Sequence, residues 1–101
     1  MSNLGIANAI LQQLGGHKFI TMTGANGFLG GNDYLLFMLP KGCKNGVNKV
    51  KIRQDHPDTY SIDFMLVTTK QNRTVSSHAN VCNSKLQELF TQETGMYTLF
   101  I

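Results

Sequence analysis

The sequence predicts an α+β fold: a small antiparallel sheet of four or five strands with one helix at the N-terminus and one at the C-terminus. Three observations predict it. Apolar residues recur at steps of three or four near both ends of the chain, the period of a helix with one covered face. Residues 48–53 and 59–67 alternate apolar and polar, the period of a strand with one covered face. Every connection between these segments is short, which suits hairpins better than parallel crossovers. With 101 residues, 42% hydrophobic and 15% charged, the chain forms a single domain, 1–101, around one core.

Ser2 or Asn3 caps a first helix whose apolar positions are Leu4, Ala7, Ile10, Leu11 and Leu14, and Gly15-Gly16 supplies its stop. Residues 17–23 read as a strand, because Phe19, Ile20, Thr21 and Thr23 are all good strand formers. The glycine-rich stretch 24–31 reads as an irregular excursion, with Phe28 and Leu29 turned into the core. Residues 34–39, YLLFML, form an apolar run stopped by Pro40, predicted as a strand buried on both faces. PKGCKNGV at 40–47 is the turn that follows it.

In the next strand Val50 and Ile52 face one way and Lys49, Lys51 and Arg53 the other. Residues 54–58 form a proline turn. The longest strand then places Tyr60, Ile62, Phe64 and Leu66 on the core side and Ser61, Asp63 and Met65 on the opposite side. A polar turn precedes a weak edge strand at 74–78. Asn80 or Asn83 caps a last helix with Cys82, Leu86, Leu89 and Phe90 on one stripe, Ser84 and Gln87 as a capping box, and Gly95 past its end. The tail 96–101 is apolar throughout and is expected to pack, as a further strand or against a second subunit; Tyr97, Leu99, Phe100 and Ile101 are its candidate interface residues.

Several chemistries lack their residues. Cys43 and Cys82 form no CxxC and have no histidine at zinc-finger spacing, so two free thiols are expected, Cys82 as a small buried hydrophobe on the last helix. His17, His56 and His78 show no HxH or HxxxH pattern and read as solvated loop residues. Asp55, His56 and Asp58 make a dense titratable cluster, read as a proline turn in preference to a metal site. No nucleophile elbow surrounds any serine. The chain is therefore expected to be no enzyme, with no metal and no cofactor. No apolar run reaches the roughly 18 residues of a membrane span, and residues 1–5 lack a signal-like n-region, so a cytoplasmic protein without membrane contact is expected.

FITMTGANGFLGG at 19–31 resembles the opening of the extended short-chain dehydrogenases, with Thr23-Gly24, Gly27 and Gly30 matching TGxxGxxG. That resemblance implies a dinucleotide held at a helix N-terminus. Here proline stops a strand-like run where the helix should stand, no acidic residue lies between Asp33 and Asp55, and no Tyr is followed four positions later by Lys. The match is read as coincidental. Backbone N–H groups around 24–27 still offer a candidate anion-binding nest.

MTGA at 22–25, LLFMLPKG at 35–42, VNKVKI at 47–52, DTYSIDF at 58–64 and LQELFTQETGMYTLF at 86–100 together resemble a group of small proteins carried by bacteriophages and integrated elements. The resemblance covers most of the chain. It implies a phage context, hence a host-cell cytoplasm, and brings no residue roles with it.

The most nearly functional feature is a basic stripe. Lys41, Lys44, Lys49, Lys51 and Arg53 follow one another with no acid between them, and the last three share one strand face at intervals of roughly 6.6 to 7 Å. Such a face can follow the phosphates of single-stranded nucleic acid or gather the anionic groups of a nucleotide. Asp63 on the neighbouring strand is expected to neutralise Lys51 or Arg53, and Tyr34 and Tyr97 are the aromatics that can be argued onto the surface. The expected function is a phage-type accessory module that binds an anionic ligand. The alternative is an inhibitor of a host protein, a counter-defence factor acting through the tail, and an apolar C-terminus also allows a homodimer.

Overall fold

The computed structural model describes residues 5–40, 46–56 and 59–95. The N-cap at Ser2 or Asn3, Lys41, Cys43 and Lys44 of the turn, and the tail with Tyr97, Leu99, Phe100 and Ile101 lie outside the described residues. The fold is α+β, with helices α1 (Gly5–Leu14) and α2 (Gly16–Thr23), strands β1 (Asn26–Gly30), β2 (Tyr34–Met38), β3 (Lys49–His56), β4 (Thr59–Val67) and β5 (Asn72–Cys82), a 3-10 turn at Asn83–Lys85, and helix α3 (Leu86–Thr94). The five strands form one antiparallel sheet in chain order.

All three helices pack on one face of the sheet. Leu35 and Phe37 of β2, Val50 and Ile52 of β3, and Tyr60, Ile62 and Phe64 of β4 are buried beneath them, in strict alternation with half-exposed neighbours. The helices contribute Ala7, Ile10 and Leu14 from α1, Phe19 from α2, and Leu86 and Phe90 from α3. Three rings form the centre: Phe19 stands edge-on to Phe37 at 5.5 Å and to Phe90 at 5.0 Å, and Phe37 lies 6.2 Å from Phe90. Gln87 of α3 donates its side-chain N–H to the Leu14 carbonyl at 2.7 Å, so the predicted capping box with Ser84 gives way to a bond that ties α3 to the open end of α1.

Residues 17–23 are helical where a strand was expected. Gly15, at φ 126°, ends α1 in a backbone conformation that side chains resist, and the chain restarts at once as α2. Within α2 the buried positions Gly16, Phe19 and Thr23 keep helical spacing. The threonines that favoured a strand satisfy their hydroxyls within the helix: Thr21 donates to the His17 carbonyl, and Thr23 donates to the Phe19 carbonyl at 2.8 Å while accepting from Ala25 N–H.

The glycine-rich excursion is in fact β1, a five-residue edge strand whose residues 26–29 are exposed. Leu29, 56% exposed, and Phe28, 37% exposed, are outside the core, although the Phe28 ring leans on Phe37 at 5.5 Å. β2 is buried on one face only. β5 is longer than the expected edge strand and carries two register shifts against β4, between Tyr60 and Ile62 and between Phe64 and Met65. Asn80, expected to cap a helix, is the described non-glycine residue with positive φ, 56°, and sits at the first of these shifts. Cys82 ends β5 and is exposed, so it is neither helical nor buried. Gly95 closes α3 in a left-handed C-cap, as its position predicts.

Phe19→Ala should lower unfolding free energy by about 3–5 kcal/mol, since it removes the ring that joins α2 to both the sheet and α3. Leu29→Ala should change it by less than about 0.5 kcal/mol. Urea denaturation of both variants checks the pair.

Candidate ligand-binding face

Among the described residues no element covers the face of the sheet turned away from the helices, and that face holds Lys49, Lys51 and Arg53. Strand pairing arranges it in rows: Leu29, Leu36, Lys51, Asp63 and Ser77 stand side by side, as do Met38, Lys49, Met65 and Thr74, and Tyr34, Arg53 and Ser61. Read along the strands, the same residues form columns. β2 supplies Tyr34, Leu36 and Met38, β3 supplies Lys49, Lys51 and Arg53, and β4 supplies Ser61, Asp63 and Met65.

Tyr34 is fixed from two sides. Its ring lies against Gly31, where an added Cβ would stand only 2.0 Å from the ring Cε2. On the other side the Lys51 ammonium sits 4.8 Å from the ring centroid, a cation–π contact. Glycine is favoured at 31 because a Cβ would strike that ring, and Gly31 N–H donates to the Tyr34 carbonyl at 3.0 Å across the β1–β2 hairpin. Tyr34 was weakly legible in the sequence as a surface aromatic. What the sequence lacked was the pairing that sets it beside Arg53 and under Lys51.

The expected neutralisation by Asp63 takes another form. Asp63 stands directly opposite Lys51 but accepts a hydrogen bond from the Ser77 hydroxyl at 2.5 Å. Arg53, whose side chain is 52% exposed, pairs with Asp55 of its own strand at 3.1 Å, and Ser61 of β4 also donates to Asp55. Lys49 and Lys51 have no carboxylate partner among the described residues. Between these groups lies a shallow cleft of about 150 Å³ lined by Lys51, Arg53, Ser61, Asp63 and Ser77.

The remaining candidates are dispersed. His17 is exposed on α2 and His56 ends β3. His78 is no solvated loop residue: it is half-buried in β5, 2.6 Å from Glu93 of α3 and edge-on to Phe64. A cleft of about 360 Å³ between β5 and α3 is lined by Asn80, Cys82, Lys85, Glu88 and Gln92. Among the described residues, no group of three His, Cys, Asp or Glu side chains is placed to hold a metal ion.

The dinucleotide-like stretch has the wrong element order. Thr23-Gly24 ends a helix and Gly27 and Gly30 lie in a strand, whereas the dehydrogenase loop leaves a strand and opens a helix. Of the candidate anion nest, Gly24 N–H donates to the Ile20 carbonyl and Ala25 N–H to the Thr23 hydroxyl, so these two groups are already engaged.

Fold and face together define an antiparallel sheet backed by helices on one side, with a charged surface on the other that no described element covers. No helix among the described residues is long and apolar enough to cross a membrane. No family model matches the chain, and neither a curated protein nor a solved structure matches it.

Gly31→Ala should displace the Tyr34 ring and cost about 1–3 kcal/mol of stability through overpacking. Chemical denaturation and the Tyr34 ring resonances check this. A variant with wild-type stability and an unmoved ring would show that Gly31 does not hold it.

Proposed function

We propose that this chain is a binding module, a phage-type accessory protein, whose uncovered sheet face takes an anionic ligand, single-stranded nucleic acid or a nucleotide. The observation that carries the reading is the column Lys49, Lys51 and Arg53 on that face, two of its three cations having no carboxylate partner among the described residues. Regular strand geometry spaces them at about 6.6 Å, so each can meet a separate anionic group. Lys41 and Lys44 precede the column in the chain and extend its charge in sequence.

Replacing Lys49, Lys51 and Arg53 together by Glu should weaken binding of labelled single-stranded DNA and of ATP by more than about tenfold. The control Lys70→Glu, in the exposed β4–β5 turn, should bind as wild type. If three phosphates are neutralised, log K should fall against log salt with a slope of roughly −2, at about −0.7 per phosphate. Binding that ignores either the charge reversal or the salt concentration would overturn the reading.

A second reading, inhibition of a host protein by direct contact, is favoured by the exposed Phe28 and Leu29 on edge strand β1. Its original candidates, Tyr97, Leu99, Phe100 and Ile101, lie outside the described residues. It predicts a complex that forms with little salt dependence and weakens on replacing Phe28 and Leu29 by Ser.

A further inference from the structure

We infer that the occupant of the uncovered face is a single-stranded nucleic acid, with its phosphates along β3 and its bases over β2. The inference rests on the anion-binding reading above and names its substrate class. Three features of the face carry it.

The cations are spread out. From Lys49 to Arg53 is two steps of about 6.6 Å, so the column spans roughly 13 Å at the backbone and matches a row of separate phosphates better than the bunched phosphates of one nucleotide. An extended strand presents successive phosphates on that scale.

The columns flanking the cations also differ in chemistry. On the β2 side stand Tyr34, Leu36 and Met38, half-buried and uncharged, with exposed Leu29 beyond Leu36. On the β4 side stands Asp63, and Ser61 of β4 holds Asp55 toward the same side. The carboxylates repel a phosphate chain from β4, while the apolar column offers bases a surface to lie on. A duplex keeps its base faces stacked inside and leaves that column unused.

Lys51 links the two halves. Its ammonium rests over the Tyr34 ring. A phosphate on β3 draws the ammonium off the ring, and the vacated face receives a base. Charge neutralisation and stacking are therefore exchanged at one residue pair.

The test compares fluorescence-anisotropy titrations with (dT)6, (rU)6, an abasic hexamer with the same phosphates, and dTMP. Wild type should bind one or both base-bearing hexamers at least about fivefold more tightly than the abasic strand. Tyr34→Leu should erase that difference without changing the salt slope, and Tyr34→Phe should keep it; thermal melts confirm that both variants fold. Equal binding of abasic and base-bearing hexamers, or dTMP binding as tightly as a hexamer, overturns the base-over-β2 inference and leaves the anion-binding face standing. If no phosphate-bearing probe binds, the face reading itself falls.

Discussion

The ring cluster Phe19, Phe37 and Phe90 is the contact on which the rest of the molecule depends. One ring comes from α2, one from β2 and one from α3, so a single buried point joins the sheet to helices from both ends of the chain. Aromatic rings bury a large area each and add an edge-to-face preference of their own. In a domain of this size a few such side chains supply much of the core. Their placement also commits every helix to one side of the sheet. Gln87 reinforces the commitment by binding the Leu14 carbonyl, which holds α1 beside α3.

The described helices cover one face and none covers the other, and the residues there answer to a different constraint. Strand alternation forces a residue every second position onto the open side, and β3 places a cation at each of three consecutive openings. Like charges on one strand repel one another and gain nothing for the fold. Asp55 and Asp63 relieve part of that repulsion, yet Ser61 and Ser77 engage both carboxylates, and Lys51 rests on an aromatic ring rather than an acid. The cations are held in place without being fully neutralised, an arrangement suited to meeting an outside anion.

Where the sequence was informative, the signal was periodicity with one face buried. β4 and the first part of β3 were legible, because Val50, Ile52, Tyr60, Ile62 and Phe64 alternate without interruption, but residues 54–56, read as part of a proline turn, continue β3 to His56. The helix in α3 and its Gly95 stop were legible for the same kind of reason. Residues 17–23 misled because propensity and burial disagree there. β-branched residues argue for a strand, yet Phe19 and Thr23 are buried four apart, and the threonine hydroxyls find partners one turn back. β1 misled because an edge strand with glycines and no covered neighbour carries no periodic signal. The basic column could be read from β3 alone. Tyr34 and Leu36 could not be assigned to it, because their place depends on register between strands, and register is set by tertiary contacts, while Asp55 was missed because its segment reads as a proline turn although β3 continues through it.

The irregularities of the sheet fall outside the stretch that carries the cations, and this bears on the face as much as on the fold. β5 shifts register twice and passes through Asn80 in a left-handed conformation; β1 is five residues long and shifts between Asn26 and Leu29. Bulges and short edge strands are the means by which sheets avoid pairing with other chains. Between those edges the ladder is regular: β2 and β3 pair over five consecutive residues without a shift, and β3 and β4 stay in register from Lys49 to Gln54. Even spacing of Lys49, Lys51 and Arg53 requires such an unbroken ladder, since one inserted residue would turn the next cation to the buried side. The register shift of β3 itself, between Gln54 and His56, falls past the last cation, so the stretch from Lys49 to Arg53 keeps the even geometry on which its periodic charge depends.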